Sequence, residues 1–289
     1  MISPPPERPA AAAPSRGRRQ RPGEAGSAAS GWERGRLGPA RRLSRALAVP
    51  LLLLVILEAY TRTAGRDSDA LAPPTQVLQA LWRALADGSL LVGTGFTLGS
   101  AALGLLLGGG LGVLLGIALG LSARAARIGF LSIEVLRPMP SVALIPLAML
   151  VYGFGLRMEL AVVAFATFWP LLVLAQAATR QVEPQLLEVA RALGLSPLQR
   201  ICKIVLPAIV PRLFIALRLG VAIALVVAVT VEIAANPHGM GYAMSLAQQS
   251  LDPAGMLAWL LWIGVIGYGL NAGSMRLQRA VARRMEGQR

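Results

Sequence analysis

The sequence predicts an all-α, polytopic membrane protein with six spanning helices, and three observations carry that prediction. Hydrophobic residues make up 55% of the 289-residue chain, more than the roughly 45–50% usual in a soluble domain. Mean hydropathy is +0.61. Several uncharged runs approach or exceed the roughly 20 residues that cross a hydrocarbon core about 30 Å thick.

The chain is also strongly basic, with 28 Lys and Arg against 14 Asp and Glu and a net charge of +14. Taken alone, such a charge suggests a nucleic-acid partner. Composition excludes that class. Lys203 is the one lysine, the arginines fall between apolar runs, and no RNA-binding aromatic motif is present. Membrane orientation accounts for the charge instead.

Residues 1–45 are rich in Pro, Ala, Gly, Ser and Arg and hold ten arginines. A segment with so little apolar surface cannot offset its ordering entropy, so a disordered basic tail is expected. The first apolar run, Ala46–Leu57, extends to Leu43–Tyr60 if Arg45 and Glu58 lie at the interfaces. A retained first helix is preferred to a signal-peptide core cleaved near Ala70–Ala72. Next, Pro73-Pro74-Thr75 starts a short amphipathic helix bearing Val77, Leu78, Leu81 and Leu85, outside or along the membrane surface.

From Gly88 to Ala123 no residue is charged. That stretch would extend about 54 Å as a helix, so the span is placed at Phe96–Leu121 behind an interfacial turn. Gly104, Gly108, Gly112, Gly116 and Gly120 recur at every fourth position. Bare backbone along one side lets another helix approach closely; a gating hinge is the alternative. Three more runs, Pro138–Leu156, Leu160–Thr179 and Pro253–Met275, are spans by length. Leu213–Ala235 completes six, provided Arg218 snorkels to one interface and Glu232 lies near the other.

Alternate connections differ sharply in charge. The N-terminal tail, residues 122–137, residues 180–218 and the tail from Arg276 hold 24 basic residues; the other set holds 4. Both termini are therefore expected in the cytoplasm.

Within the long cytoplasmic loop, 180–212, the stretch Glu188–Pro207 has a distinctive pattern. Glu188-Val189-Ala190 precedes Gly194, and Ile204, Leu206 and Pro207 follow after nine residues. Gly194 suits a C-terminal cap, Ser196 an N-cap and Pro197 a first helical position. Pro207 and Pro211 mark the return into the membrane. A compact helix pair of this kind suits a partner's groove.

This pattern resembles the EAA loop of binding-protein-dependent ABC transporter permeases, with Val189 where the middle alanine usually stands. The rest of the chain, over residues 45–285, is similar to the nitrate/sulfonate/taurine branch of that family. Pro73-Pro74-Thr75-Gln76-Val77-Leu78, Leu136-Arg137-Pro138-Met139-Pro140, Tyr152-Gly153-Phe154-Gly155 and Gly239-Met240-Gly241-Tyr242 support the likeness. The resemblance implies that Glu188, Ala190, Gly194, Ile204, Leu206 and Pro207 couple the chain to a cytoplasmic ATPase subunit. It further implies a permease homodimer in the inner membrane, an extracytoplasmic solute-binding protein and a small organic anion as solute.

The chain itself should bind no cofactor. A phosphate-binding loop needs Gly-Lys-Ser/Thr, and Lys203 is followed by Ile204. Cys202 stands alone, so no intrachain disulfide forms, and His238 has no ligand neighbours for a metal. An enzyme is disfavoured, because no catalytic cluster is visible. Glu232, Pro138, Pro140 and Pro146 are candidates for the translocation pathway; Glu232 pairing with Arg157, and kinks serving only packing, are the alternatives. Glu134 and Arg137 have the spacing of a helical ion pair. The competing transport class is an ion-coupled secondary transporter, which would want inverted repeats and buried charges at mid-membrane.

Overall fold

The structure, a computed structural model, describes residues 39–63 and 71–286. Most of the expected basic tail therefore lies outside the described residues. The chain divides into two units, residues 1–52 and 53–289. Of the first unit only the start of helix α1 (Pro39–Thr63) is described.

Every regular element among the described residues is a helix. After α1 come α2 (Pro74–Ala86) and α3 (Ser89–Leu121), then α4 (Ala123–Leu136) and α5 (Ile145–Tyr152). The chain continues through α6 (Leu156–Arg180), α7 (Pro184–Ala192), α8 (Pro197–Ala234), α9 (Met240–Gln249) and α10 (Pro253–Glu286). Among the described residues α3, α6, α8 and α10 are each long and apolar enough to cross a membrane. α1, with 25 residues, would extend about 37 Å.

The third expected span is interrupted beside its prolines. Within Pro138–Leu156 a 3-10 turn at Ser141–Leu144 leads into the eight residues of α5. α4 and the 141–152 segment meet at 83°. Pro138 and Pro140 cannot continue α4, and Gly153 (φ +72°) and Gly155 (φ +109°) end α5. The other expected spans all run longer than the uncharged cores suggested. α3 begins at Ser89 rather than Phe96, with Asp87 accepting the Ser89 N–H at 2.8 Å.

α3 and α6 run parallel and set the core. A Cβ at Gly104 would lie 2.6 Å from Val163, and one at Gly116 would lie 2.8 Å from Ala175. At Gly108, Gly112 and Gly120 the obstacles are Ala164, Phe168 and Thr179. Glycines every fourth residue drift by about 40° per step around an α-helix. The π turn at Leu105–Gly109 winds less per residue and takes back part of that drift, so all five glycines meet the same neighbour.

The amphipathic α2 has three faces. Val77, Leu81 and Ala84 pack inward, whereas Leu78, Trp82 and Leu85 are exposed on a second face and Gln76, Gln79 and Arg83 on a third. Leu78 and Leu85 thus point away from the protein, a division that the single apolar stripe read from the sequence did not make. Glu58, near the end of α1, accepts both the Thr75 N–H (3.1 Å) and its hydroxyl (2.8 Å) at the start of α2.

Candidate functional site

Two ends of the α3–α6–α8 core carry the sites worth distinguishing. The first is the elbow formed by α7 and the beginning of α8. α7 ends where Leu195 N–H donates to the Ala190 carbonyl (3.0 Å) and Gly194 takes φ +66°. α8 starts with a reciprocal cap: Ser196 Oγ accepts the Gln199 N–H, and Gln199 Oε1 accepts the Ser196 N–H. Each half of the elbow is thus fixed by its own short sequence.

Around this turn the apolar side chains face outward: Val189 is 53% exposed, Leu193 68% and Leu198 71%. Glu188 is exposed too, whereas Ala190 is fully buried beneath. Ile204, Leu206 and Pro207 lie further along, with Ile204 half-buried and Leu206 and Pro207 exposed. The buried anchors are instead Val205 and Ile209, packed with Ile117, Ala178 and Val182. The Ile201–Val205–Ile209 spacing is the signal that could have found them.

The second helix of the elbow does not end before the membrane. α8 continues unbroken through Pro207 and Pro211, so the short helix expected to run toward Leu206 and the span expected at Leu213–Ala235 are one helix. The physical reason lies in the π turn Ile201–Val205, whose widened backbone spacing accommodates the first proline without an α-helical hydrogen bond. The second half of the elbow is therefore continuous with a span.

At the opposite end, α3, α6, α8 and α9 converge on a buried polar ring. Glu159 accepts from Ser100 Oγ and from Asn236 Nδ2. Glu232 Oε2 accepts the Gly241 N–H at 2.9 Å, and Thr97 Oγ1 accepts the Met240 N–H at 2.9 Å. All five side chains are buried. Gly239 (φ +94°) lies directly over the Glu232 carboxylate, where any Cβ would collide with it. Sequence reasoning singled out Glu232 but missed Glu159, Asn236, Thr97 and Ser100. Thr97, Ser100 and Gly104 share a helical face, yet nothing local shows that two carboxylates meet it.

Other sequence candidates fall outside both sites. Pro138 and Pro140 bound the α4–α5 bend, and Pro146 opens α5. Among the described residues no ion pair joins Glu134 to Arg137 or Glu232 to Arg157; Arg62–Glu58 is the pair formed. Trp259 packs with Leu90 and Met240, and Trp262 Nε1 donates to Thr94 Oγ1 at 2.8 Å. His238 stacks on Phe96, with ring centroids 5.1 Å apart. Arg218 Nε donates to Asn271 Oδ1 at 2.9 Å, which ties α8 to α10. A cavity of about 540 Å³ beside the glycine face is lined only by apolar residues and glycine, among them Leu105, Leu171, Val210 and Phe214.

An exposed elbow continuous with a membrane span fits a subunit that a second protein drives. Residues 108–287 match the family described as binding-protein-dependent transport system inner membrane component. The chain belongs to this family. It is a multi-pass inner-membrane transport permease subunit, not an enzyme.

Among its relatives is the SsuC permease of Bacillus subtilis (strain 168), named for aliphatic sulfonates transport. The two are 29% identical over 223 residues, covering 77% of this chain and 81% of that protein. The taurine transport system permease protein TauC of Escherichia coli (strain K12) is 29% identical, over 72% of this chain and 78% of its own. The nitrate import permease protein NrtB of Leptolyngbya laminosa is 24% identical over 80% and 86%. In fold, the chain is similar to the inward-facing MetNI methionine ABC transporter. The TM-score is 0.54 at 20% identity, covering 73% of this chain and 99% of that one.

Proposed function

We propose that the chain forms half of the membrane pore of an ATP-driven importer for a small organic or inorganic anion of the sulfonate, taurine or nitrate type. The names of its relatives support that solute class. An extracytoplasmic binding protein delivers the solute, and a cytoplasmic ATPase subunit supplies the nucleotide site that this chain lacks. Two copies of the permease pair across the pore, with both termini in the cytoplasm, as the distribution of basic residues supports.

The observation that carries this reading is the elbow. Val189, Leu193 and Leu198 are apolar, exposed and grouped around a turn held by Gly194 and Ser196. Seated in a groove of the ATPase, they would lose that exposure. Because α8 runs on from the elbow into the membrane, a displacement of the ATPase reaches the span without a flexible joint. Alternation of the pore then follows from ATP binding one orientation better than the other.

Gly194→Arg and Glu188→Lys test the reading. Both variants should insert in the membrane at wild-type levels yet lose ATPase co-purification and solute uptake by tenfold or more. Wild-type assembly in both would overturn the docking role. Solute movement by the purified chain alone, without nucleotide, would favour the ion-coupled class.

A further inference from the structure

The polar ring holds two carboxyl groups and receives no positive charge among the described residues. Glu159 and Glu232 are both buried, and every hydrogen-bond donor that reaches them is neutral: Ser100, Asn236 and the Gly241 N–H. Two oxygens of the ring have no donor at all, Glu232 Oε1 and Asn236 Oδ1. Their residues are 1% and 2% exposed. Buried charges in proteins are paired, bound to a cation or neutralised, because desolvating an ion costs several kcal/mol.

No basic side chain fills this role among the described residues. From α6, Arg157 is exposed and Glu159 faces the ring. From α3 the ring receives only Thr97 and Ser100, and from α9 only backbone N–H groups. His238, on the turn before α9, is exposed and stacks on Phe96. No cluster of three His, Cys, Asp or Glu residues is present among the described residues.

We propose that the ring takes up one monovalent cation, a proton or an alkali-metal ion, from solvent at this end of the molecule, held at Glu232 Oε1 and Asn236 Oδ1. The donor set is oxygen only, which excludes soft metals. Most of its other oxygens already accept or donate within the ring, too few to build the six to eight ligands of calcium. Glu232 lies in the last turn of α8 and Asn236 two residues beyond its end, and Asn236 Nδ2 already holds Glu159, so a cation there draws α6 and α8 together beside α3. Occupancy locks this end of the three spans; its loss lets them separate. The inference concerns the ring alone and stands whether or not the elbow docks an ATPase.

The test is the thermal unfolding midpoint of the full-length chain in lipid nanodiscs. In one arm sodium or potassium chloride replaces N-methyl-D-glucamine chloride at constant pH and ionic strength. In the other, pH is lowered from 8 to 6 in N-methyl-D-glucamine chloride alone. One arm should raise the wild-type midpoint by about 5 °C, and Glu232→Gln should flatten that response. Glu232→Gln retains an acceptor for Gly241; should it fail to insert, Asn236→Ala is read in its place. A rise with salt identifies an alkali ion, and a rise on acidification a proton. A wild-type midpoint that moves in neither arm means that a water or nothing occupies the ring, and the proposal is overturned. A response equal in wild type and variant overturns it as well.

Discussion

The elbow and the polar ring sit at opposite ends of the same three spans, and they are built by opposite means. The elbow is held locally. Gly194 ends one helix, Ser196 and Gln199 cap the next, and apolar side chains stand in the open. The ring is held from a distance: Glu159 meets Ser100 and Asn236, separated from it by 59 and 77 residues in sequence. A site made by local caps can keep its shape while its surface waits for a partner. A site made by long-range contacts exists only when the spans are packed. The end proposed to dock another subunit is thus preformed, and the end that reports on span packing is assembled.

The largest expected effect would break the ring. Gly239 has φ +94° and no room for a Cβ above the Glu232 carboxylate. Gly239→Val should therefore cost about 3 kcal/mol or more through strain and displacement of Glu232. A detergent-solubilised midpoint within a degree of wild type would show that the ring does not bear on packing. At the elbow, Ser196→Ala removes one partner of the reciprocal cap and should cost about 1 kcal/mol. That loss should be confined to faster amide exchange over residues 195–200, with the global midpoint unchanged; a global shift would erase the distinction between the two ends.

The smallest effect concerns Asp87, at the start of α3. Its hydrogen bonds from the Ser89 side chain and backbone hold its carboxyl below the usual carboxylate range. With the folded value depressed, its contribution is complete above the ordinary aspartate range and disappears as pH falls through the depressed one. The group is fully exposed, so Asp87→Asn should leave the midpoint unchanged near neutral pH. Its one trace should be faster exchange at the Ser89 amide. A large destabilisation would make this cap, rather than the packed ring, the anchor of that end.

Legibility in the sequence follows the same division. The elbow could be read because each of its parts is a nearest-neighbour effect: a glycine at a cap, a serine before proline, a glutamine three residues on. The spans could be read because length and charge alone mark them, and Pro138, Pro140 and Pro146 mark the irregular third one; the sharpness of its bend and the continuity through Pro207 could not be read. A proline announces a missing hydrogen bond, but whether the helix stops or a π turn absorbs the change depends on the residues around it. Glu232 could be suspected as a charge in an apolar run. Its neighbour Glu159 carries no such local signal: it lies in the first turn of α6 and is buried only by packing against Ser100 and Asn236.

Composition and pattern determined that this chain lies in a membrane, the order of its basic and neutral connections, the glycine face of α3 and the elbow of α7 and α8. Each of these depends on interactions within a few residues, or on the transfer of a whole segment from water to lipid. Tertiary structure alone decided which helix the glycines touch, which apolar residue anchors the elbow and which polar groups share a site. Those choices depend on backbones brought within a few ångströms by packing over dozens of intervening residues, and no local preference encodes that distance.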